Sequence, residues 1–315
     1  MDEDRSVLPG RVDGTVATVG TFDGVHLGHR AILRELADRS RARRAPSLLV
    51  TFDRHPLSVV HPEKAPLLLT TANEKKEILA QFPLDYVAFL SFTLPLSRYA
   101  PEEFVRRVLL DRLRVRELVM GPDHGFGRSR SGDIRTLRRL GAELGFRVSV
   151  VREVEVDTGT VSSTWIRRLL NQGAVEEAAR MLGRPYSLRG VVVHGMGRGR
   201  SLGFPTANLA PPSADKLLPR QGIYAVRASL DSEIRDGLLH LGPRPTFVGS
   251  PPSLELYLLE FEGEIYGETV RVEFLSRLRD VRPFASAAAL VEQMKRDRAE
   301  AIRYFRERRG AGPAS

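Results

Sequence analysis

The sequence predicts an α/β domain followed by a smaller β domain, and two observations carry this prediction. Strand-like and helix-like segments alternate through the first half of the chain, a pattern that favours a parallel sheet with helices on both faces. In the second half, strand-like runs separated by Gly- and Pro-rich turns indicate a small antiparallel barrel. We place the domain boundary at the break 183–186, which predicts domains at 1–183 and 184–315.

Short apolar runs predict the strands of the first domain, and helical spacing of apolar residues predicts the helices between them. Pro101 suits the first turn of a helix, and Gly145 suits the end of one. Ligands of such sheets bind at the carboxyl ends of the strands. The predicted strands are 15–19, 47–52, 86–90, 117–120 and 147–151, and the predicted helices are 31–36, 74–81, 101–112, 135–144, 162–170 and 174–182.

The second domain is predicted to contain strands at 190–194, 224–228, 254–261 and 269–274. A long charged helix over 286–308 ends the chain, with apolar residues on roughly one face. We expect this face to pack either on the barrel or on a neighbouring chain of a homo-oligomer. The apolar residues concerned are Leu290, Met294, Ala301 and Phe305.

Composition narrows the class of protein. At 315 residues the chain has room for about two domains of roughly 150 residues each. The absence of cysteine excludes disulfides, thiol catalysis and thiolate metal sites. No apolar run approaches the ~18 residues of a membrane span, and the acidic start 1–4 lacks a signal-peptide core. We expect a cytoplasmic protein with no membrane partner.

The net charge of +9 has two interpretations, nucleic-acid binding or the handling of small anionic ligands. Basic clusters such as 41–44 and 303–309 lie at helix ends and in the tail. No nucleic-acid fold motif accompanies them, and neither does a basic stripe interleaved with aromatic residues of the kind that binds single-stranded nucleic acid. We therefore expect small anionic substrates and no nucleic acid.

The segment 20–29, G-T-F-D-G-V-H-L-G-H, is the most informative motif of the first domain. It stands where a buried strand meets a helix N-terminus, whose N–H groups and dipole favour anions. His26 and His29 can donate to a phosphate, and Gly24 and Gly28 let it approach the backbone. A plain Gly-rich turn explains neither the two histidines nor the three glycines. The segment resembles the H-x-G-H signature of nucleotidyltransferases.

A second motif, G-F-P-T-A-N at 203–208, follows a basic Gly-rich loop at 195–200. It resembles the motif of riboflavin kinases. With both motifs in order, the chain from about 16 to 305 resembles the bacterial bifunctional riboflavin kinase/FAD synthetases. The segments 222–225, 242–247 and 255–261 resemble further landmarks of that family. The resemblance implies a Rossmann-like nucleotidyltransferase sheet and a riboflavin-kinase barrel with a terminal helix.

The resemblance also implies roles in the kinase half, where riboflavin would be phosphorylated by ATP with Mg²⁺. Thr206 and Asn208 would hold Mg²⁺, and Glu255 would be the catalytic base. Considered alone, Thr206 and Asn208 also fit a capped turn, and Glu255 fits an exposed strand carboxylate. The implied ATP-phosphate contacts are Gly197, Arg198, Gly199, Arg200, Pro205 and Thr206.

In the first domain, the FMN phosphate would attack the α-phosphate of a second ATP, giving FAD and pyrophosphate. By resemblance His26 and His29 would stabilise the transferring group, while Asp123 and Phe126 would contact the flavin. Considered alone, Arg167 fits a helix surface, and the loop 121–127 fits a β-turn with a packed Phe. The implied ATP and phosphate contacts are Gly20, Phe22, Asp23, Gly28, Ser163, Thr164 and Arg167.

Three residues of the first domain depart from the family pattern. His124 and Gly125 replace larger or aromatic residues of the flavin-side loop, and Arg54 stands where Pro is usual. They leave open, as an alternative, a riboflavin kinase with weakened or lost FMN adenylylation. The presence of His26, His29 and Arg167 argues against this alternative. An adenylyltransferase for a different phosphate, or a regulator that senses flavin or binds RNA, could also be built on such domains. The intact kinase motifs argue against both of these functions.

Overall fold

The computed structural model describes residues 12–122, 127, 132–157, 159–195, 203–210, 213–230, 233–242 and 253–310. The chain divides into two compact units, Met1–Ser163 and Thr164–Ser315. Within the described residues, every helix is too short or too polar to cross a membrane.

The first unit is built on a sheet of five parallel strands. The strand order is β3-β2-β1-β4-β5, so the chain leaves β1 towards one edge and later returns to its other side. The carboxyl end of β1 is therefore the switch point at which open α/β sheets bind ligands. The strands are β1 (Thr15–Val19), β2 (Ser47–Phe52), β3 (Tyr86–Leu90), β4 (Val115–Met120) and β5 (Arg147–Val150), followed by a hairpin of β6 (Glu155–Val156) and β7 (Gly159–Thr160).

Helices connect these strands, and local sequence fixes their ends. Thr71 and Glu74 form a reciprocal capping box at the start of α3, and Gly145, with φ of 82°, ends α6. The helices are α1 (Leu27–Arg43), α2 (Leu57–Val60), α3 (Ala72–Leu79), α4 (Leu94–Ser97), α5 (Pro101–Phe104) and α6 (Ile134–Leu144). A 3-10 turn, Pro62–Lys64, follows α2, and π-helical turns, Val105–Arg112, continue α5.

Both faces of the sheet are buried. On one face Leu48 and Leu118 belong to a core formed with the π-helical turns and α6. On the other face Val16 and Leu49 pack with α1 and α3. Because alternate strand residues point to opposite faces, a strand covered on both sides needs a continuous apolar run. The predicted parallel sheet with helices on both faces is confirmed.

The second unit contains a closed barrel of six antiparallel strands. Tyr224 and Phe274 are fully buried, and their rings meet edge to face at 5.1 Å. The predicted antiparallel barrel is confirmed. Its strands, in the order β10-β11-β12-β9-β8-β13, are β8 (Tyr186–Val193), β9 (Ala207–Ala210), β10 (Gly222–Ser229), β11 (Ile234–Gly242), β12 (Ser253–Leu258) and β13 (Thr269–Arg279).

Three helices accompany the barrel: α7 (Ser163–Gln172), α8 (Val175–Leu182) and α9 (Ala287–Gly310). On α9, Ala301 and Phe305 pack against apolar residues on the outside of the barrel. Arg279 of β13 donates to Asp297 of α9 through both Nε and Nη2, at 2.8 and 2.6 Å. The apolar end of α9 therefore lies on its own barrel, while the homo-oligomer stays a prediction.

The division between the units falls earlier than the predicted boundary at 183/184. It does so because α8 contacts β8 and β13, and because the N–H of Arg220 donates to the carbonyl of Leu170 in α7 at 2.9 Å. The predicted boundary at 183/184 between the two functional domains stays a prediction.

Two barrel strands were not predicted from the sequence. β9 is short, begins two residues after Pro205 and carries the polar Asn208, so it shows no alternating pattern. β11 mixes charged Arg235 and Asp236 with its apolar residues. Both strands matter because their register brings the candidate kinase residues together.

Candidate active sites

The turn between β1 and α1 has an unusual backbone. Phe22, Gly24 and Val25 have φ values of 46°, 82° and 39°, all in the left-handed region. Glycine adopts this region freely, but a β-branched valine is strained there. Strain of this kind costs ~1–3 kcal/mol and is concentrated at functional sites. Val25 is held in place by full burial and by a 3.3 Å hydrogen bond from its N–H to the Phe22 carbonyl.

The two histidines of the turn are organised by the helix start. His26 caps α1, and its Nδ1 accepts a hydrogen bond from the backbone N–H of His29 at 3.3 Å. This assigns the proton of neutral His26 to Nε2, which becomes a donor. The two rings stack with centroids 3.7 Å apart, and the Phe22 ring lies 4.8 Å from that of His29.

Gly28 packs tightly beside His26. A Cβ at Gly28 would lie 3.3 Å from the His26 ring and 3.7 Å from the Val161 carbonyl oxygen. The first N–H groups of a helix have no acceptor within the helix. The turn therefore presents imidazole donors beside a helix N-terminus, as an anion site requires.

Asp23 holds the turn to the segment that precedes α3. Its buried carboxylate accepts from the N–H groups of Leu69 and Thr70, each at 3.0 Å, and from the Thr70 hydroxyl at 3.2 Å. The same hydroxyl accepts from the N–H of Gly24 at 3.0 Å. The carboxylate is thus engaged by protein donors and shapes the anion site through the backbone.

Ser163 joins the turn from the start of α7. Its hydroxyl donates to the Asp23 carbonyl at 2.9 Å. Thr164 is exposed and Arg167 is half-buried on the next turns of α7, in the second unit. Gly20 directly follows β1, and its N–H donates to the Val50 carbonyl at 3.0 Å.

Lys75 of α3 was missed by the sequence analysis. Its ammonium donates to the carbonyls of Thr21 and Phe52 at 2.8 and 3.1 Å and to the Thr51 hydroxyl at 3.4 Å. Burial lowers the pKa of Lys75, and the charges of Asp23 and Asp53 partly oppose this. Spacing was the signal that could have identified it. Lys75 stands three and four residues before the buried Ile78 and Leu79, so it lies on the same buried face of the helix.

The departure at Arg54 has a local explanation. Its backbone N–H donates to the Asp53 carboxylate at 2.7 Å, and the Ser91 hydroxyl donates to the same carboxylate at 3.0 Å. Proline has no N–H and could not make the first of these bonds. The departures His124 and Gly125, with Asp123 and Phe126, fall at 123–126, outside the described residues, so the flavin contacts stay predictions.

The candidate kinase residues form a row across the barrel. Asn208 of β9 pairs directly with Glu255 of β12, and Glu255 pairs with His240 of β11. Directly opposite residues share a face and have Cβ atoms about 4.5–5.5 Å apart. Leu238, two residues before His240, packs on the outer face with α9. The row therefore lies on the outside of the barrel.

The motif 203–208 is anchored beside this row. The Phe204 ring is buried with its centroid 5.5 Å from that of Tyr257, two residues after Glu255. Thr206 directly precedes β9. A Cβ at Gly195 would lie 1.9 Å from the Asn208 amide nitrogen, so any larger residue there would displace the Asn208 side chain. The predicted phosphate contacts Gly197, Arg198, Gly199 and Arg200 lie outside the described residues.

His240 adds an imidazole that the sequence analysis missed, because β11 was not predicted. Burial lowers the pKa of His240, and Arg279 lowers it further, while Glu255 acts in the opposite direction. Its apolar neighbours Leu238, Leu239 and Leu241 were the available signal for a strand. The row thus combines an amide, a carboxylate and an imidazole on the outer surface of the barrel.

The comparisons with known proteins agree with both halves. The family described as FAD synthetase matches residues 9–165, and the family described as riboflavin kinase matches residues 182–305. With the parallel sheet and the barrel, these matches define a two-domain transferase that handles flavins.

Relatives match along nearly the whole chain. The "Bifunctional riboflavin kinase/FMN adenylyltransferase" of Escherichia coli (strain K12) is 35% identical over 294 residues, 93% of each chain. The protein of the same description in Pseudomonas fluorescens is 38% identical over 289 residues, 91% of this chain and 92% of its own. A crystal structure named Macrolide-efflux Protein from Streptococcus pneumoniae aligns with a TM-score of 0.84 at 30% identity, over 92% of this chain and 94% of its own.

The chain belongs to the bifunctional riboflavin kinase/FMN adenylyltransferase family. The predicted family and the predicted bifunctional function are confirmed over the alternative of a kinase alone. The roles of individual residues stay predictions.

Proposed function

We propose that this chain phosphorylates riboflavin at the outer face of the barrel and adenylylates the resulting FMN at the β1–α1 turn. The observation that carries the proposal is that two separate places in the fold each bring together candidate residues of one reaction. The turn combines His26 and His29 with a helix N-terminus. The barrel aligns Asn208 with Glu255.

In the adenylylation step, an oxygen of the FMN phosphate attacks the α-phosphorus of ATP. A new P–O–P link forms as the bond to the leaving pyrophosphate breaks, so no covalent enzyme intermediate is needed. Negative charge grows on the transferred group, and donors aimed at that charge stabilise the transition state. We assign this role to the imidazoles of His26 and His29.

We assign supporting roles to the remaining predicted residues of this half. Phe22 packs on His29, Asp23 fixes the loop, and Gly20 and Gly28 leave the backbone accessible. Ser163 binds the loop, while Thr164 and Arg167 on α7 would hold ATP phosphates. The flavin contacts by Asp123 and Phe126 complete the proposal.

In the kinase step, a ribityl hydroxyl of riboflavin attacks the γ-phosphorus of ATP and ADP leaves. Glu255 accepts the hydroxyl proton as the new P–O bond forms. Pro205, Thr206 and the basic loop Gly197, Arg198, Gly199 and Arg200 would contact the phosphates. Half-buried Glu255 on the outer face is open enough for this exchange.

The donor set of the barrel suits Mg²⁺. Thr206, directly before β9, supplies a hydroxyl oxygen, and Asn208 of β9 supplies an amide oxygen. Mg²⁺ prefers oxygen ligands and keeps several waters. When bound, Mg²⁺ would neutralise phosphate charge. Thr206 and Asn208 are therefore the Mg²⁺ ligands that we propose.

A chromatographic time course with riboflavin, ATP and Mg²⁺ tests this function. We expect FMN to appear first and FAD later, with pyrophosphate released only as FAD forms. FMN without FAD would contradict adenylylation at the first site. The cytoplasmic location and the absence of nucleic-acid partners stay predictions.

A further inference from the structure

Lys75 connects the ends of two strands at the adenylylation site. It lies on α3 and is 7% exposed, yet its ammonium reaches the Thr21 carbonyl just after β1 and the Phe52 carbonyl at the end of β2. The Thr51 hydroxyl, its third acceptor, itself donates to the Thr21 carbonyl at 3.0 Å. The carbonyl of Thr21 is thus held by two donors from outside the loop.

The geometry indicates an action through the protein rather than on the substrate. An ammonium has three N–H donors, and Lys75 uses them on three protein acceptors within 3.4 Å. A buried charge is costly unless it is well hydrogen-bonded. Asp23 and Asp53, which line the same cleft, attract it from a greater distance.

Thr21 directly precedes Phe22, the residue on which the histidines rest. Phe22 has a φ of 46°, a conformation that a free chain rarely adopts. The Phe22 ring packs on His29, whose own ring stacks on His26. Fixing the Thr21 carbonyl therefore fixes the base of the surface that supports His29.

We propose that Lys75 is a positioning residue for adenylyl transfer, which it supports by holding the β1–α1 turn in the conformation that places His29. This inference rests on the proposed function of the turn. It predicts a loss of catalytic rate with little change in substrate affinity, because Lys75 itself does not touch the substrate.

The test compares Lys75→Met with Lys76→Met, the same substitution at the next, exposed residue. FAD formation from supplied FMN and ATP gives kcat and KM for each variant. Because misplacing a catalytic group by about 1 Å can cost about 100-fold, we expect kcat of Lys75→Met to fall by about 30- to 100-fold. KM should change by less than about threefold, and Lys76→Met should match the wild type within about twofold.

Hydrogen exchange by mass spectrometry separates positioning from loss of fold. In Lys75→Met we expect faster exchange in the turn 20–29, with β4 and β5 as protected as in the wild type. An unchanged kcat would overturn the inference, and so would loss of protection through the whole sheet. Full adenylylation by His29→Ala would instead overturn the proposed function of the turn, so the two failures are distinguishable.

Discussion

The two proposed active sites would both transfer a phosphoryl-type group from ATP, but they are built differently. At the β1–α1 turn, a contiguous decapeptide supplies both histidines and the helix N-terminus. On the barrel, Asn208, Glu255 and His240 come from three strands and meet only through register. The first site is local in sequence and depends on backbone conformation. The second depends on pairing between distant segments.

This difference in construction also determines which substitutions should disturb each site. The turn contains strained residues, Phe22 and Val25. Its neighbouring backbone is held by a hydrogen bond from the Gly24 N–H to the Thr70 hydroxyl and by one from Lys75 to the Thr21 carbonyl, so contacts distant in sequence control its conformation. The barrel row lies on a regular antiparallel ladder, so its geometry is set by the closed sheet. Substitutions should therefore separate the two activities cleanly.

The largest effect is expected for Glu255→Gln, which removes the proposed base while keeping the side chain's size. General acid–base catalysis contributes about 10²–10⁴-fold, so FMN formation from riboflavin should fall by that factor. The exposed Glu262→Gln serves as the matched control. FAD formation from supplied FMN should stay within about twofold of wild type, and an equal fall of both rates would remove the distinction between the sites.

His29→Ala is the reciprocal change. Removing one donor aimed at transition-state charge costs about 10²–10³-fold, so FAD formation should fall by that factor while riboflavin phosphorylation is retained. The variant keeps the backbone N–H that donates to His26, so the cap of α1 is preserved. His61→Ala, on an exposed histidine, controls for loss of an imidazole. Adenylylation at the wild-type rate would exclude His29 from catalysis.

Asp297→Ala tests the barrel unit alone. Asp297 is 4% exposed and binds Arg279 with two hydrogen bonds, and breaking such a buried pair leaves an uncompensated charge. We expect a loss of about 3 kcal/mol in the free energy of unfolding. The only tryptophan, Trp165, lies in this unit, so its fluorescence in urea follows the transition.

The matched control for Asp297→Ala is Glu292→Ala, which removes an exposed partner of Lys295 on the same helix. Exposed pairs add little stability, so the control should unfold as the wild type does. If both variants unfold alike, α9 is not fixed to the barrel by the Arg279–Asp297 pair.

Glu117 gives the smallest expected effect, and it concerns the sheet unit. Burial alone would raise the pKa of this carboxyl, but hydrogen bonds from Arg43 and Ser149 and the charges of Arg43 and Arg39 lower it below 4.5. Because the carboxyl has a lower pKa in the folded protein than in the unfolded chain, its ionisation stabilises the fold at pH values above the unfolded pKa. This stabilisation is lost as the pH falls through the pKa of the folded protein.

Glu117→Gln should therefore be less stable than the wild type at neutral pH, and this difference should shrink below about pH 4.5. Urea unfolding followed by far-ultraviolet circular dichroism at several pH values measures it. Glu143→Gln, at an exposed ion pair, is the control. A difference that is constant with pH would contradict the role of the Glu117 charge.

The sequence was sufficient for the parallel sheet because its strands contain short apolar runs and the longer helices between them have helical spacing of apolar residues. It was also sufficient for the turn 20–29, whose residues are adjacent in the chain. The sequence did not predict β9 and β11, because polar residues within them interrupt the alternation of apolar and polar positions that marks a strand. His240 of β11 was therefore missed as well. Lys75 was missed for a related reason, because its acceptors, Thr21, Thr51 and Phe52, lie far from it in sequence.

Mixing the two variants, each of which is expected to lack one activity, tests the separation of the sites most directly. His29→Ala and Glu255→Gln would be incubated separately and together with riboflavin, ATP and Mg²⁺, and flavins would be separated by chromatography. We expect FMN alone from the first, almost no product from the second, and FAD only from the mixture. Failure of the folded mixture to form FAD, although wild-type protein forms it, would contradict two independent sites on one chain.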